Sequence, residues 1–167
     1  LHMGDAFSLA GTRFEVLQTH EDSIGAAGNE IIGGFNDTST VLKVTFDGRS
    51  FLILGDIDNR AEDVLLRHYS AKTLHVDIVQ CAHHVFNRLD RLYDVIDADW
   101  ALVPQGERVR TNHDAPKYNV IARTVPYDNF LFANQFTDGL RVCAETGEIE
   151  HHYHEPQVGG VFDGAAL

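Results

Sequence analysis

Asp56 and the pair His83-His84 carry the side chains of this sequence best suited to holding an ion together. Each closes a candidate buried strand: Phe51-Leu52-Ile53-Leu54 leads into Gly55-Asp56, and Val76–Cys81 leads into Ala82-His83-His84. Ligands of α/β sheets gather at the carboxyl ends of strands. Carboxylate oxygen and neutral imidazole nitrogen bind zinc, manganese or iron at about 2.0–2.2 Å. Gly55 would let backbone and ion approach with no side chain between them. Each group also has a plainer reading. Asp56, beside Asp58 and Asn59, reads as an N-cap or turn residue, and a histidine pair at a strand end reads as a hydrogen-bonded pair with no ligand. His152 and His154 would share one face of a strand, yet no acid or cysteine is placed to complete a metal set there, so an exposed terminal strand is the expectation. Cys81 with His83 suggests a thiol and its base, but a strand cysteine reads first as packing.

The elements that must position these groups are legible in part. Phe14 and Val16 alternate with polar neighbours and predict a first strand that fades near His20. Residues 21–37, rich in Gly, Asn and Asp, read as a mobile loop. Val41–Phe46 and Arg49–Leu54 flank Asp47-Gly48, a two-residue hairpin turn. The unbroken apolar run of the second arm predicts a strand covered on both faces. Asn59 with Glu62 three residues on has capping-box spacing, and Ala61, Val64, Leu65 and His68 follow at helical intervals. Asn87 with Asp90 would cap a second helix with the stripe Leu89, Leu92, Tyr93 and Ile96. Asp114 would open a third with Tyr118, Ile121, Ala122 and Val125, closed by Pro126. Trp100–Val103 reads as a short strand stopped by Pro104, and strands near 129–133, 140–144 and 149–153 finish the chain. Helices separated by apolar strands point to an α/β fold, with about three helices covering a mixed sheet.

Composition narrows the function. The chain has 167 residues with 44% apolar and 23% charged, a globular composition for one domain or part of one. A net charge of −12 repels phosphate backbones, so nucleic-acid binding is not expected unless a bound cation reverses the field locally. No apolar run approaches the ~18 residues of a membrane span. Cys81 and Cys143 could form one disulfide, though two reduced, buried thiols are the expectation. No dinucleotide glycine motif, Walker loop or G-x-S-x-G elbow is present. No signal peptide opens the chain, which tilts the expected compartment toward the cytoplasm; Leu1-His2-Met3-Gly4 reads as a cloning scar, so the compartment stays open.

Several stretches together resemble the metallo-beta-lactamase superfamily. They are Asn36-Asp37-Thr38-Ser39-Thr40-Val41-Leu42-Lys43-Val44, then Phe51 through Gly55-Asp56, then Asp77-Ile78-Val79-Gln80-Cys81-Ala82-His83-His84. The nearest likeness is to the hydrolase domain attached to competence DNA-uptake channel proteins, where "N-x-x-S-x-V-L" precedes a "G-D" strand end and a later strand ends in "H-H-G-S". The resemblance spans roughly residues 10–153. It implies an αββα sandwich of two similar halves with a metal site where they meet. It further implies that Asp56 bridges two metals, that His84 (or His83) is the last histidine ligand, that Asp77 is structural or supports a ligand, and that His113 in His113-Asp114-Ala115-Pro116 lies near the site mouth. The family's main signature, H-x-H-x-D-H, is absent, so the chain resembles the second half alone. Val85-Phe86-Asn87 also stands where Gly-Ser is expected. The implied cofactor is a divalent metal, zinc or manganese, in the complete protein, since two protein ligands fall short of the three or four that hold one. The implied partner is the missing N-terminal half or a second copy.

Overall fold

Asp47 and Gly48 both take positive φ, 48° and 80°, which gives the tight turn between β3 (Val41–Phe46) and β4 (Arg49–Ile53) the twist a two-residue hairpin needs. Ala10 and Gly11 do the same, at 49° and 83°, between β1 (Ala6–Leu9) and β2 (Thr12–Gln18). The structure is a computed structural model that describes residues 1–20, 34–104, 120–133, 140–142, 146 and 148–151. After the two hairpins come helix α1 (Asn59–His68), the single turn α2 (Ala71–Leu74), β5 (Ile78–Gln80), α3 (Asp90–Ile96), β6 (Trp100–Val103) and β7 (Phe130–Phe132). One seven-stranded sheet runs β1 to β7 in chain order, antiparallel through β4 and parallel thereafter. The expected mixed sheet and α/β class are therefore present. β8 (Leu140–Val142) and β9 (Ile149–His151) pair separately.

The core lies between one face of the sheet and the helices. Leu52, Leu54, Val79, Cys81, Ala101, Val103 and Phe132 pack there with Ala61 and Leu65 of α1, Leu74 of α2 and Leu92, Tyr93 and Ile96 of α3. Truncating any of these leucines costs about 2–5 kcal/mol by the usual cavity penalty. The opposite face is buried at Val16, Ile78 and Leu131 and open at Phe7, Leu9, Phe46 and Ile53. In register across it run Phe7, Phe14, Val44, Phe51, Ile78 and Trp100, and beside them Leu42, Ile53 and Leu102. Ile53 is 41% exposed, and Phe7, Leu9 and Phe46 are exposed with it. The expectation that β4 is covered on both faces is thus corrected at Ile53: the run is apolar on both sides, but that residue is exposed, and among the described residues helices pack on the other face alone.

Two capping assignments also change. Asp58, not Asn59, is the N-cap of α1, accepting from Asn59 N at 2.8 Å. Glu62 does not fold back to close a capping box. It is buried, 4% exposed, and its Oε1 accepts from Arg91 N at 3.0 Å and Leu92 N at 2.9 Å, so it caps α3 from another helix. Arg91 Nη2 meets its second oxygen at 3.2 Å. Leu89 is the N-cap of α3 and has no side-chain cap bond, so the expected Asn87–Asp90 cap is replaced by this tertiary one. Asp37 acts in the same way on α1: its Oδ1 accepts from Asp58 N at 3.0 Å and Ala61 N at 3.1 Å. Lys43 rises from β3 to the carbonyls of Thr73 and His75 at 2.7 and 2.9 Å, closing the end of α2; burial pulls its pKa down against the opposing pull of Glu15 and Asp77. Of the third expected helix, only Val120 and Ile121 are helical among the described residues, and Ile121 and Val125 are buried.

Glu62→Ala leaves the two amides of α3 and the Arg91 guanidinium without their acceptor in a buried place. The loss should be about 2–4 kcal/mol in denaturant unfolding with unchanged slope, and Glu62→Gln, which keeps Oε1, should lose clearly less.

Candidate functional site

Parallel pairing of β4 and β5, with Ile53 opposite Gln80, brings two strand ends side by side. The pairing continues past the ladder, because His83 N donates to Gly55 O at 3.0 Å. The Gly55-Asp56 turn and the His83-His84 turn therefore share one rim of the sheet. Gln80 fastens the first: its Oε1 accepts from Leu54 N at 3.0 Å and Gly55 N at 2.8 Å, and its Nε2 donates to Cys81 O. Ser39 Oγ accepts from Asp56 N at 3.1 Å. Asn87 Nδ2 donates to the carbonyls of Asp56 and Ile57 at 3.2 and 2.9 Å. Asp56 is half-buried, and among the described residues no hydrogen bond uses its carboxylate.

The histidine turn is strained. His83, His84 and Val85 have φ of 47°, 51° and 68° in succession, a region that L residues avoid and a β-branched one most of all. Several bonds impose it. Ala82 N donates to the buried Tyr93 hydroxyl at 2.9 Å, and Phe86 N donates to His83 O at 2.7 Å. Burial pushes the Tyr93 hydroxyl pKa well up, so it stays neutral there. The imidazoles are then fixed from outside the turn. His84 Nδ1 lies 2.7 Å from Pro104 O, and a carbonyl only accepts, so in the neutral ring Nδ1 holds the proton and Nε2 the lone pair. His83 Nδ1 lies 3.2 Å from Asn36 Nδ2, and its ring contacts Phe86 at 5.5 Å between centroids.

Asn36 comes from a 3-10 turn, Phe35–Thr38, which holds the last residues of the stretch expected as a loop; 21–33 lie outside the described residues. Gln18, fully buried, reaches this turn through Nε2 to the carbonyls of Asp37 and Ser39 at 2.8 and 3.3 Å. Its Oε1 is buried without a partner among the described residues. A cavity of about 370 Å3 opens beside the turn, lined by Phe35, Asn36, Asp37, Asp58, Asn59 and Arg60. Phe35 itself is 96% exposed.

The remaining candidates lie elsewhere. Asp77 precedes β5 at the opposite end of the sheet. There it accepts from Ser50 N and Ser50 Oγ, both at 2.7 Å, and pairs with Arg49 at 3.0 Å. His113, Cys143 and His152-Tyr153-His154 lie outside the described residues. Cys81 is completely buried and its thiol pKa is pushed up by that burial, the state of a packing residue rather than a nucleophile. Among the described residues no group of three His, Cys, Asp or Glu side chains could hold a metal ion. Gln80, Asn87, Tyr93 and Pro104 hold the site through tertiary bonds that no local spacing announces, in place of the motif, cap, stripe and strand-stop positions expected of them. Asn36 and Ser39 fell within the resembled motif but had no role assigned.

Gly55 has φ of 61°, and a Cβ added there would stand 2.9 Å from Ser39 Cβ. Gly55→Ala should therefore lose about 1–3 kcal/mol of stability in denaturant unfolding, and Ser39→Gly should recover the steric share of that loss. The Asp77 carboxyl pKa is lowered: burial acts to raise it, and the bonds from Ser50 and Arg49 together outweigh that. A depressed folded value means the contribution is present above the ordinary Asp pKa near 3.9 and is lost as pH falls through the folded value. Asp77→Asn should lower stability at neutral pH and flatten its fall below about pH 4, read by acid titration of the unfolding midpoint.

No protein-family model and no curated protein matches the sequence.

Proposed function

We propose that this chain is the C-terminal half of a metal-dependent hydrolase with the metallo-beta-lactamase fold, whose complete form attacks a phosphodiester or another ester. The observation that carries the reading is the bond from His83 N to Gly55 O, with Asp56 and the histidine pair on adjacent parallel strand ends. The donor chemistry suits a divalent cation such as zinc or manganese. Asp56 offers a carboxylate, and His84 offers Nε2 while its other ring nitrogen is engaged by a backbone carbonyl, the usual arrangement around a ligating histidine. The donor count does not suit one. A catalytic site takes at least three protein ligands, and the described residues bring no such group together, so hydrolysis is assigned to the complete protein and not to this half. The face bearing Phe7, Leu9, Phe46 and Ile53 is where the other half, or a second copy, would lie. No helix among the described residues is long and apolar enough to cross a membrane.

A second reading has its own support: a non-catalytic domain of the same fold that binds a protein through that apolar face. Val85 stands where the resembled pattern has glycine, yet keeps a glycine-like φ, as a site losing its function while keeping its frame would show.

The two readings separate on the complete protein. On the first, sequence upstream supplies H-x-H-x-D-H, elemental analysis finds near-stoichiometric metal, and Asp56→Ala abolishes metal-dependent ester hydrolysis. Less than about 0.1 metal per chain, or full turnover in Asp56→Ala, overturns it and leaves the binding module.

A further inference from the structure

Which nitrogen of a neutral imidazole carries the proton is decided by what the other nitrogen faces, and the two histidines of the rim face opposite partners. His84 Nδ1 stands 2.7 Å from Pro104 O, which only accepts, so its proton is on Nδ1 and its lone pair on Nε2. His83 Nδ1 stands 3.2 Å from Asn36 Nδ2, an amide nitrogen that only donates. The lone pair of His83 is therefore at Nδ1, inside that bond, and in the neutral ring the proton is on Nε2. Two adjacent residues thus differ at the same atom: Nε2 is an acceptor in His84 and a donor in His83. No hydrogen bond among the described residues uses Nε2 of either ring.

Asn36 is held in place from several sides. Its own carbonyl accepts from Ser39 N at 3.0 Å, closing the 3-10 turn. Gln18 Nε2 pins the next carbonyl, that of Asp37, at 2.8 Å, and the Asp37 carboxylate is fastened to the start of α1 at 3.0 and 3.1 Å. Ser39 Oγ accepts from Asp56 N at 3.1 Å. The turn that carries Asn36 is thus tied to β2, to α1 and to the Asp56 turn before it reaches His83. His83 is half-buried, and its ring also lies against Phe86, 5.5 Å between centroids. To offer Nδ1 elsewhere the ring would have to give up both contacts.

We propose that Asn36 fixes His83 as a hydrogen-bond donor through Nε2–H, so that His84 alone of the pair is a ligand-type histidine and His83 serves an oxygen of the substrate. Asn36 is then a positioning residue that acts through His83. The role at the substrate rests on the hydrolase assignment; the placement of the two protons does not. A neutral N–H beside a carbonyl or phosphoryl oxygen binds it more strongly as negative charge develops there, which is what ester cleavage requires. Asparagine at position 36 matters for this, because a carboxylate in its place would accept from Nδ1 and reverse the ring.

The test follows the ring nitrogens of the isotopically labelled chain by long-range proton–nitrogen correlation, in excess EDTA and at about pH 8.5, where ordinary imidazoles are uncharged. His84 is expected with its proton on Nδ1 and His83 with its proton on Nε2. A proton on Nδ1 of His83 means that the amide oxygen of Asn36 faces the ring, and overturns the proposal. Asn36→Asp should move the His83 proton to Nδ1 and leave His84 as it was; an unmoved proton overturns the part given to Asn36. Should that variant fail to fold, Asn36→Ala is read instead: averaging of the His83 nitrogens between the two forms is expected, and unchanged signals overturn the same part. In the complete protein, His83→Ala should keep the bound metal while turnover falls roughly a hundredfold or more, whereas His84→Ala should lose most of the metal. Equal loss of metal in the two variants overturns the donor role. A wild-type protein without metal defeats the hydrolase assignment and with it the role at the substrate, while the nitrogen spectra still decide the pair.

Discussion

A carboxylate taken out of water must recover several kcal/mol of lost hydration through hydrogen bonds, and in this fold two of them do so at the amino ends of helices other than their own. Asp37, in the 3-10 turn after β2, accepts from the first turn of α1, and Glu62, within α1, accepts from the first turn of α3. The turn, α1 and α3 are thereby fixed in sequence, each holding the next through a helix end that would otherwise keep unpaired amides. The candidate rim follows from this. The turn that Asp37 pins carries Asn36, which meets His83, and the helix that Glu62 pins carries Tyr93, whose hydroxyl holds the amide just ahead of the histidine pair. Removing either acid would disturb the candidate site without touching it.

The same acids show what local spacing can and cannot say. Glu62 three residues after Asn59 is the signature of a capping box, and a helix does begin there. The spacing found the helix for the wrong reason, since Asp58 caps it and Glu62 turns to another helix altogether. Hairpin chemistry was more dependable: Asp47-Gly48 set both φ values and hence the register of β3 with β4, because the turn is decided by two residues alone. Ala10-Gly11 makes an equivalent turn without an Asn or Asp to mark it, and β1 went unread for that reason. Asp56 and the histidine pair were legible as strand ends, but Gln80, Asn87 and Pro104, which hold those ends, lie 20 to 31 residues from their partners where they cross between elements.

An unbroken apolar run says that both faces of a strand avoid water, not that helices supply both covers. Phe51-Leu52-Ile53-Leu54 has Leu52 and Leu54 under the helices, with Phe51 and Ile53 on the other side. Cross-strand register lines Phe51 up with Val44, Phe14 and Phe7, and the rings of Phe7 and Phe14 stack at 5.0 Å. A solvated face of an antiparallel sheet ordinarily alternates to polar residues. Its failure to do so here is a property of the sequence, independent of any kinship, and it is what makes both a missing half and a protein partner reasonable occupants.

The three successive left-handed residues bear on the choice between those readings. Each costs on the order of 1–2 kcal/mol, and Val85 more, since its branched Cβ crowds the following carbonyl. A turn under no constraint would relax by rotating one peptide. This one is held by Tyr93 from behind, by Gly55 through the His83 amide, and by Asn87, which crosses to the Asp56 carbonyl. The held element is itself one of the two candidate ligand-bearing turns. On the proposed kinship, glycine at position 85 would allow the same path without strain, so the valine marks a residue changed inside a conformation that its neighbours still enforce. The frame that would aim Asp56 and His84 toward a common ion is therefore set by surrounding bonds and not by the residue that occupies position 85.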